Sequence, residues 1–185
     1  MKQLFAAVLI VAFALLTLSQ AKADDKVTYK YVGTKICAPC HKAEKTGNQF
    51  GIWQKSKHSE AMKTLAGPKA AEIAKAKGLK TTADKAAECV DCHQVTADPA
   101  VCEKTFSAAD GVQCEACHGP GSGYKTLSVM KDKAKAVAAG LILYKDDAAI
   151  EAKCKTCHNE KSPTFKAFDF KASWAKIKHS VPKKG

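Results

Sequence analysis

Apolar and polar positions divide this chain into one long apolar run and a series of short amphipathic segments. The run covers 15 residues, from Leu4 to Leu18, and follows a basic start at Lys2. Beyond it, no segment alternates with period two for long enough to predict a long strand. The pattern therefore predicts a mainly α-helical fold, built as a single compact domain of short helices and loops.

The apolar run has the features of a secretory signal peptide. It is shorter than the ~20 residues that span a bilayer, and Ala21-Lys22-Ala23 forms a small-x-small cleavage site. We predict a signal peptide over residues 1–23 and one domain over residues 24–185, in the periplasm or outside the cell. Because no cysteine lies at the cleavage region, we expect neither a lipid anchor nor another stable membrane anchor.

Capping and breaking residues divide the rest of the chain into elements. Asp24 to Thr34 is predicted to be extended, and residues 95–102 and the stretch from Ser162 to Phe168 are predicted loops. Helices are predicted over 41–65, 68–77, 124–139 and 169–179, with further helices that begin near Thr82, Ser107 and Asp146.

Every Cys-x-x-Cys in the chain is followed directly by His, and there are four such motifs. Their cysteines are Cys37, Cys40, Cys89, Cys92, Cys114, Cys117, Cys154 and Cys157, and their histidines are His41, His93, His118 and His158. This is the attachment sequence of c-type haem, in which two thiols bind the porphyrin and the imidazole binds the iron. Positions i, i+3 and i+4 share one helix face, so a single turn can present all three groups. We therefore predict four covalently bound haem c groups.

Zinc is the alternative for paired Cys-x-x-Cys units. A structural zinc site does not require a His directly after each second cysteine, so zinc leaves the repeated His unexplained. The predicted domain of 162 residues provides only about 40 residues for each of four haems. Much of its interior must therefore be porphyrin, around which the short helices and loops are wrapped.

All 30 basic residues are lysine, and the predicted domain keeps 28 of them against 18 acidic residues, a net charge of +10. The propionates of four haems would offset much of this charge. Nucleic acid is not an expected partner, because the chain lacks arginine and is predicted to be exported. The lysines either form a plain solvated surface or steer acidic redox proteins toward the haem edges.

The supply of histidine limits the iron coordination. Beyond the motifs the chain has only His58 and His179, so at most two of four irons can have two histidine ligands. For the other irons, Met130 is a candidate ligand, and Met62 is a further one, although methionine more often fills a core. A lysine amine or an open five-coordinate iron is the remaining alternative.

Cys102, the ninth cysteine, belongs to no motif. It is interpreted as a plain thiol, as a cross-link between two chains or as an iron ligand.

The motifs resemble those of the cytochrome c-554 family, tetrahaem electron carriers of ammonia oxidation and their relatives. The matching segments are Lys35 to Ala43, Trp53 to Met62, Glu88 to His93, Gly111 to Gly121 and Cys154 to His158. The resemblance implies a mainly helical fold with haems in close stacked pairs. It also implies His58 as distal ligand of the third haem, His179 as distal ligand of the fourth, and an open second haem on His93. In the family the first haem takes a His that follows the third motif, where this chain has Ser128-Val129-Met130. The resemblance therefore leaves two alternatives for the first haem, Met130 in place of that His or an open site.

Three functions are compatible with these observations. The leading hypothesis is a periplasmic, non-enzymatic electron carrier that links other redox proteins, such as cytochromes or quinol-linked and periplasmic oxidoreductases, in a respiratory chain. The second is a reductase of nitric oxide or another nitrogen oxide at an open haem. The third is self-association into an extracellular haem filament, in which a histidine from one chain completes a haem in the next.

Overall fold

A computed structural model describes residues 28–96 and 98–179. The predicted signal peptide lies outside the described residues. Within those two ranges the chain is mainly helical, as predicted, and the only β-structure is an isolated bridge between Tyr31 and Cys102. No helix in the described part is both long and apolar enough to cross a membrane.

Ten α-helices follow one another in the described residues, and all are short. They are α1 Thr34–His41, α2 Gln49–Gln54, α3 Ala61–Leu65, α4 Pro68–Ala76, α5 Ala87–His93, α6 Cys114–His118, α7 Leu127–Met130, α8 Lys133–Ala138, α9 Asp147–Lys155 and α10 Phe170–Ile177. Short 3-10 turns lie between them, at Glu44–Thr46, Pro99–Val101, Ala108–Asp110 and Gly121–Gly123.

Several predicted boundaries are confirmed because a single side chain determines each of them. Pro68 begins α4, and Gly78 follows it with a positive φ of 67°. Asp146 and Asp169 cap α9 and α10, and each carboxylate accepts a backbone N–H from the first turn of its helix. The final helix ends at Ile177, so His179 follows it at the carboxyl end.

Other predicted helices are wrong in their extent. The helix over 41–65 is broken into three pieces. The first break lies before α2, where Gly47 and Asn48 both adopt positive φ and Asn48 then caps α2; the second lies between α2 and α3. The helix over 124–139 is two helices, since the carboxylate of Asp132 accepts N–H groups that restart the chain as α8. In both cases a short polar side chain competes with the helical backbone for its hydrogen bonds.

Two predicted helix starts are also wrong. The chain makes only a turn at Thr82, and α5 begins later, at Ala87. Ser107 precedes a 3-10 turn without a side-chain capping bond, whereas α6 begins at Cys114.

The protein part of the core is small. An apolar cluster joins α3, α4 and α5 through Leu65, Ala70, Ala74, Ala83 and Val90, with Met62 packed against it. Met62 therefore contributes to packing between these helices, which is the common role of methionine.

The N-terminal segment runs beside the loop before α6. Tyr31 donates its N–H to Val101 and accepts one from Glu103, at 2.9 and 2.8 Å. This pairing confirms the extended form predicted for the described part of 24–34. It also brings Val32 and Gly33 to the third motif, where both residues are buried.

Loss of the α10 cap should weaken the helix that precedes His179. Asp169→Ala removes the acceptor for the Ala172 N–H, at 2.9 Å, and should lower the unfolding free energy by about 1 kcal/mol. Thermal unfolding of the purified protein measures this change. Lys171→Ala, an exposed change on the same helix, is the control, and an equal effect from both variants would contradict the capping role.

Candidate haem-binding sites

Three of the four motifs lie entirely on helical turns. The first lies on α1, the second on α5, and the third forms all of α6. The fourth begins on α9 and continues into the following turn, where the His158 N–H still bonds to the Cys154 carbonyl at 3.0 Å. In each case the two thiols and the imidazole therefore keep helical spacing.

Three motif imidazoles are held through Nδ1 by an acceptor on another segment. His93 Nδ1 lies 2.8 Å from the Ala61 carbonyl, and His118 Nδ1 lies 3.1 Å from the Ile142 carbonyl. His41 Nδ1 lies 3.2 Å from Gln49 Oε1. A histidine that donates Nδ1–H leaves Nε2 as the unprotonated nitrogen, which is the form that binds a metal.

The fourth motif imidazole is oriented by an aromatic stack. The Phe168 ring lies against the His158 ring, with centroids 4.8 Å apart and planes inclined by 17°. The sequence placed Phe168 in a loop after the motif but gave no sign of this contact. Only the turn at Ser162 brings the aromatic side chain back onto the histidine.

The two histidines outside the motifs each face a motif histidine. His58 lies beside His158, with ring centroids 6.1 Å apart, and His179 lies beside His118, with centroids 6.0 Å apart. This is the reverse of the pairing that the family resemblance implied, in which His58 belonged to the third motif and His179 to the fourth. The loop bearing His58 bonds to Val112, but its ring points toward the fourth motif.

These separations fit one iron between each pair of rings. A metal–imidazole nitrogen bond is about 2.0–2.1 Å, so two imidazoles on opposite sides of one iron have centroids on the order of 6 Å apart. Burial lowers the pKa of His58, and the neighbouring His158 lowers it further. Burial also lowers the pKa of His118 and of His158. Neutral imidazole is the form that ligates iron, so the lowered pKa values of His58, His118 and His158 suit a haem iron.

The attachment cysteines connect the motifs to one another. Hydrogen bonding with Cys114 is the largest of the effects that raise the pKa of Cys37, which places these two thiols in contact. Cys92 and Cys157 also interact directly; burial raises the pKa of Cys92, and Cys157 raises it further. Burial raises the pKa of Cys117, and Cys154 contributes to that rise. The first motif therefore lies beside the third, and the second motif lies beside the fourth.

The third motif is held in place by hydrogen bonds of two tyrosines and of its own Glu115. The Tyr124 hydroxyl donates to the Gly119 carbonyl at 2.6 Å, and the Tyr144 hydroxyl donates to the Cys117 carbonyl at 2.8 Å. Burial raises the pKa of Tyr144 to about 12, so this hydroxyl remains a donor. Glu115, inside the motif, is buried and bonds to two other segments. The one sequence signal for it was an acidic residue between two haem cysteines.

Met130 and Cys102 are the remaining candidate ligands. Met130 ends α7, and its role at the first haem stays a prediction. Cys102 is half-buried, and its thiol lies 3.6 Å from the Asp98 carbonyl. Burial raises the pKa of Cys102, which makes the thiol less reactive.

The zinc alternative needs a different arrangement of side chains. A structural zinc site uses four ligands together. Within residues 28–96 and 98–179, no group of three or more His, Cys, Asp or Glu side chains could hold a metal ion. The zinc interpretation therefore has no site in that part of the chain.

Short helices that carry repeated Cys-x-x-Cys-His motifs, with imidazoles prepared for iron, define a multihaem c-type cytochrome. Residues 36–119 match the family described as "Cytochrome c554 and c-prime". The chain belongs to the cytochrome c-554 family, and this membership supports haem c as its cofactor.

Two characterised relatives illustrate the extent of the similarity. The chain is 31% identical over 165 residues to cytochrome c-554 of Nitrosomonas europaea, covering 80% of this chain and 66% of that protein. It is 33% identical over 89 residues to the C-type polyheme cytochrome OmcC of Geobacter sulfurreducens, covering 44% of this chain and 10% of that protein. The chain thus spans just under two thirds of the first relative and a small part of the second. No solved structure matches the chain.

A glycine beside His58 provides a test of how its loop is positioned. Gly111 has a φ of 70°, and an added Cβ would overlap the His58 carbonyl oxygen. Gly111→Ala should lower the unfolding free energy by about 1–3 kcal/mol and displace His58, which converts one low-spin haem to high spin. Thermal unfolding and the electron paramagnetic resonance (EPR) spectrum of the oxidised protein measure these changes.

Gly78→Ala is the matched control, because Gly78 also has a positive φ, of 67°, but its added Cβ would meet nothing within 4 Å. This variant should be modestly destabilised and keep every low-spin signal. If Gly111→Ala also keeps them all, its contact with the His58 loop does not position the ligand.

Proposed function

We propose that this protein is an electron carrier with four covalent haem c groups, which passes electrons between redox proteins outside the cytoplasm. The observation that carries the proposal is the series of contacts between the motifs. Cys37 meets Cys114, Cys117 lies near Cys154, and Cys92 meets Cys157. Neighbouring attachment cysteines support haems that lie close enough together for electrons to pass between them.

The bound haems supply one-electron chemistry, in which each iron changes between its ferric and ferrous states. The chain positions the groups on either side of each iron. His118 with His179, and His158 with His58, are the two pairs that we assign as axial ligands, on the basis of their ring separations of 6.0 and 6.1 Å. Coordination by two histidines favours a lower reduction potential than coordination by His and Met.

Partner recognition is assigned to the lysine-rich surface. The chain has 30 lysines and no arginine, and many of the lysines in the described ranges are exposed. A positive surface attracts an acidic redox protein and increases the rate of encounter. Export would place the protein with such partners and would also match the site of haem attachment, so we propose a periplasmic or extracellular location.

A second candidate function rests on the histidine pairs. Because His58 and His179 both face other motif histidines, His93 has no non-motif histidine opposite it in the described residues. An iron held by His93 would then lack a second histidine, and reduction of nitric oxide or another small nitrogen oxide is the corresponding enzymatic candidate. The filament hypothesis would require a histidine from another chain at the same iron or at the iron on His41.

Haem stoichiometry is the first test. The four motifs predict a denatured chain whose intact mass equals the polypeptide from Asp24 plus four haems. Variants in which both motif cysteines are replaced, such as Cys154→Ala with Cys157→Ala, should each lose the mass of one haem. A chain with fewer than four haems would contradict the proposal.

Axial coordination is tested by removing the two non-motif histidines separately. His58→Ala should convert the haem of the fourth motif from low spin to high spin, and His179→Ala should do the same at the third motif, because each loses its sixth ligand. EPR of the oxidised proteins measures the loss of one low-spin signal in each case.

Lys57→Ala and Lys178→Ala are the controls, since both change exposed neighbours of these histidines. An unchanged spectrum in either histidine variant would remove that residue from the ligand set. A shared effect on one signal would contradict the assignment of two separate pairs.

The iron on His93 should be high-spin when oxidised and should bind carbon monoxide or nitric oxide when reduced. Gas titration of the reduced protein, followed by absorption spectroscopy, measures the uptake. His93→Gly should change the spectrum of the gas complex, because it removes the opposite ligand while Cys89 and Cys92 keep the haem attached. Four low-spin irons without gas uptake would reject the open site and leave an electron carrier alone.

A further inference from the structure

The side chain of Glu115 lies inside the third motif, between its two cysteines, and the residue is only 3% exposed. Its Oε1 accepts the N–H of Val32 at 2.8 Å and that of Gly121 at 2.7 Å. Its Oε2 accepts the N–H of Gly33 at 2.7 Å and that of Val32 at 3.1 Å. Both oxygens are therefore bonded by backbone donors from two other segments.

This environment is that of an ionised carboxylate. All the contacts are N–H donors, which a charged carboxylate accepts at both oxygens, whereas a protonated carboxyl carries a hydrogen on one of them. None of the ion pairs in the described residues includes Glu115. Within residues 28–96 and 98–179, no lysine thus pairs with this buried negative charge.

The charge acts on groups of both the first and the third motif. Contact with Cys114 and burial raise the pKa of Cys37, and Glu115 adds to that rise. Burial raises the pKa of Tyr124, which donates to the end of the third motif, and Glu115 is the largest of the charges that add to it. Cys37 and Cys114 are the attachment points of two different haems, so the carboxylate lies within electrostatic reach of both.

We propose that Glu115 lowers the reduction potentials of the two haems attached at the first and third motifs. A ferric iron carries one more positive charge than a ferrous iron, so a nearby negative charge favours the oxidised form. The effect is screened little by salt or water, because the carboxylate is buried. This inference rests on the proposed function, in which four haems form a relay.

The charge is placed asymmetrically along that relay. The residue equivalent to Glu115 is Ala38 in the first motif, Val90 in the second and Lys155 in the fourth. If the potentials of the haems at motifs one and three alone are lowered, electron transfer from those haems to the haems at motifs four and two becomes more favourable. Glu115 therefore directs electrons from the first and third motifs toward the fourth and second.

The charge can be removed with little change of shape. In Glu115→Gln, the reduced-to-oxidised ratio of two of the four haems should rise roughly tenfold at a fixed electrode potential, as expected for loss of one unit charge at a distance of several ångströms. The ratio at the other two haems should stay unchanged. Spectroelectrochemical titration with EPR assignment of each haem measures these ratios. Glu72→Gln, an exposed carboxylate on α4, is the control and should leave all four haems unchanged.

Glu115→Asp keeps the negative charge but shortens the side chain, so it distinguishes the effect of the charge from that of the hydrogen bonds. It also provides a test if Glu115→Gln does not incorporate its haems. The shorter side chain cannot reach all its donors, so this variant should lose thermal stability but keep the potentials of the wild type. Potentials that rise in Glu115→Asp, or that are unchanged in Glu115→Gln, would show that Glu115 is structural only. An equal shift at all four haems would also reject the proposal.

The intact mass of each variant separates this inference from the proposed function. Four attached haems with unmoved potentials would overturn the role of Glu115 and leave the electron carrier in place. Fewer than four haems in the wild-type protein would instead overturn the proposed function.

Discussion

One buried carboxylate joins the third motif and the turn that follows it to the N-terminal segment, which is more than 80 residues away in the sequence. Glu115 bonds to the N-terminal segment at Val32 and Gly33 and to the turn at Gly121. An added Cβ at Gly121 would lie 2.9 Å from Glu115 Oε1 and also 2.9 Å from a Val32 methyl carbon, so only glycine allows this approach. Around this contact, the first and third motifs meet through Cys37 and Cys114.

The segment just before the third motif also positions His58, the candidate ligand that faces the fourth motif. Val112 donates its N–H to the His58 carbonyl at 2.9 Å and accepts the indole N–H of Trp53 at 2.8 Å. The segment before the third motif therefore anchors the loop from which His58 reaches the fourth. A cofactor-rich protein with few buried apolar side chains needs such polar links, because the helices themselves are too short to pack extensively.

Features determined by a single side chain were predictable from the sequence, whereas those that depend on distant contacts were not. Asp146, Asp169 and Pro68 mark their helices locally, and all three boundaries are as predicted. The breaks at Asn48 and Asp132 were missed because average helix propensity hides the capping bond of one residue.

The candidate sites follow the same division. The four motifs and the short supply of histidine could be read directly from the sequence, because both concern residue type and spacing. The sequence could not show which motif histidine His58 and His179 each face, because that depends on how distant loops fold against one another. The role of Glu115 likewise became visible only when Val32 and Gly33 were found beside it.

The histidine pairs also impose an order on how the protein matures. Each Cys-x-x-Cys-His motif is local, so a haem can be attached to a short stretch of newly made chain. The rings of His58 and His158 are 100 residues apart in the sequence, and those of His118 and His179 are 61 apart. Contacts across such long loops form late in folding, because the entropy of loop closure must be overcome first. If His179 is the second ligand at the third motif, as proposed above, this motif would gain it only after α10 has folded.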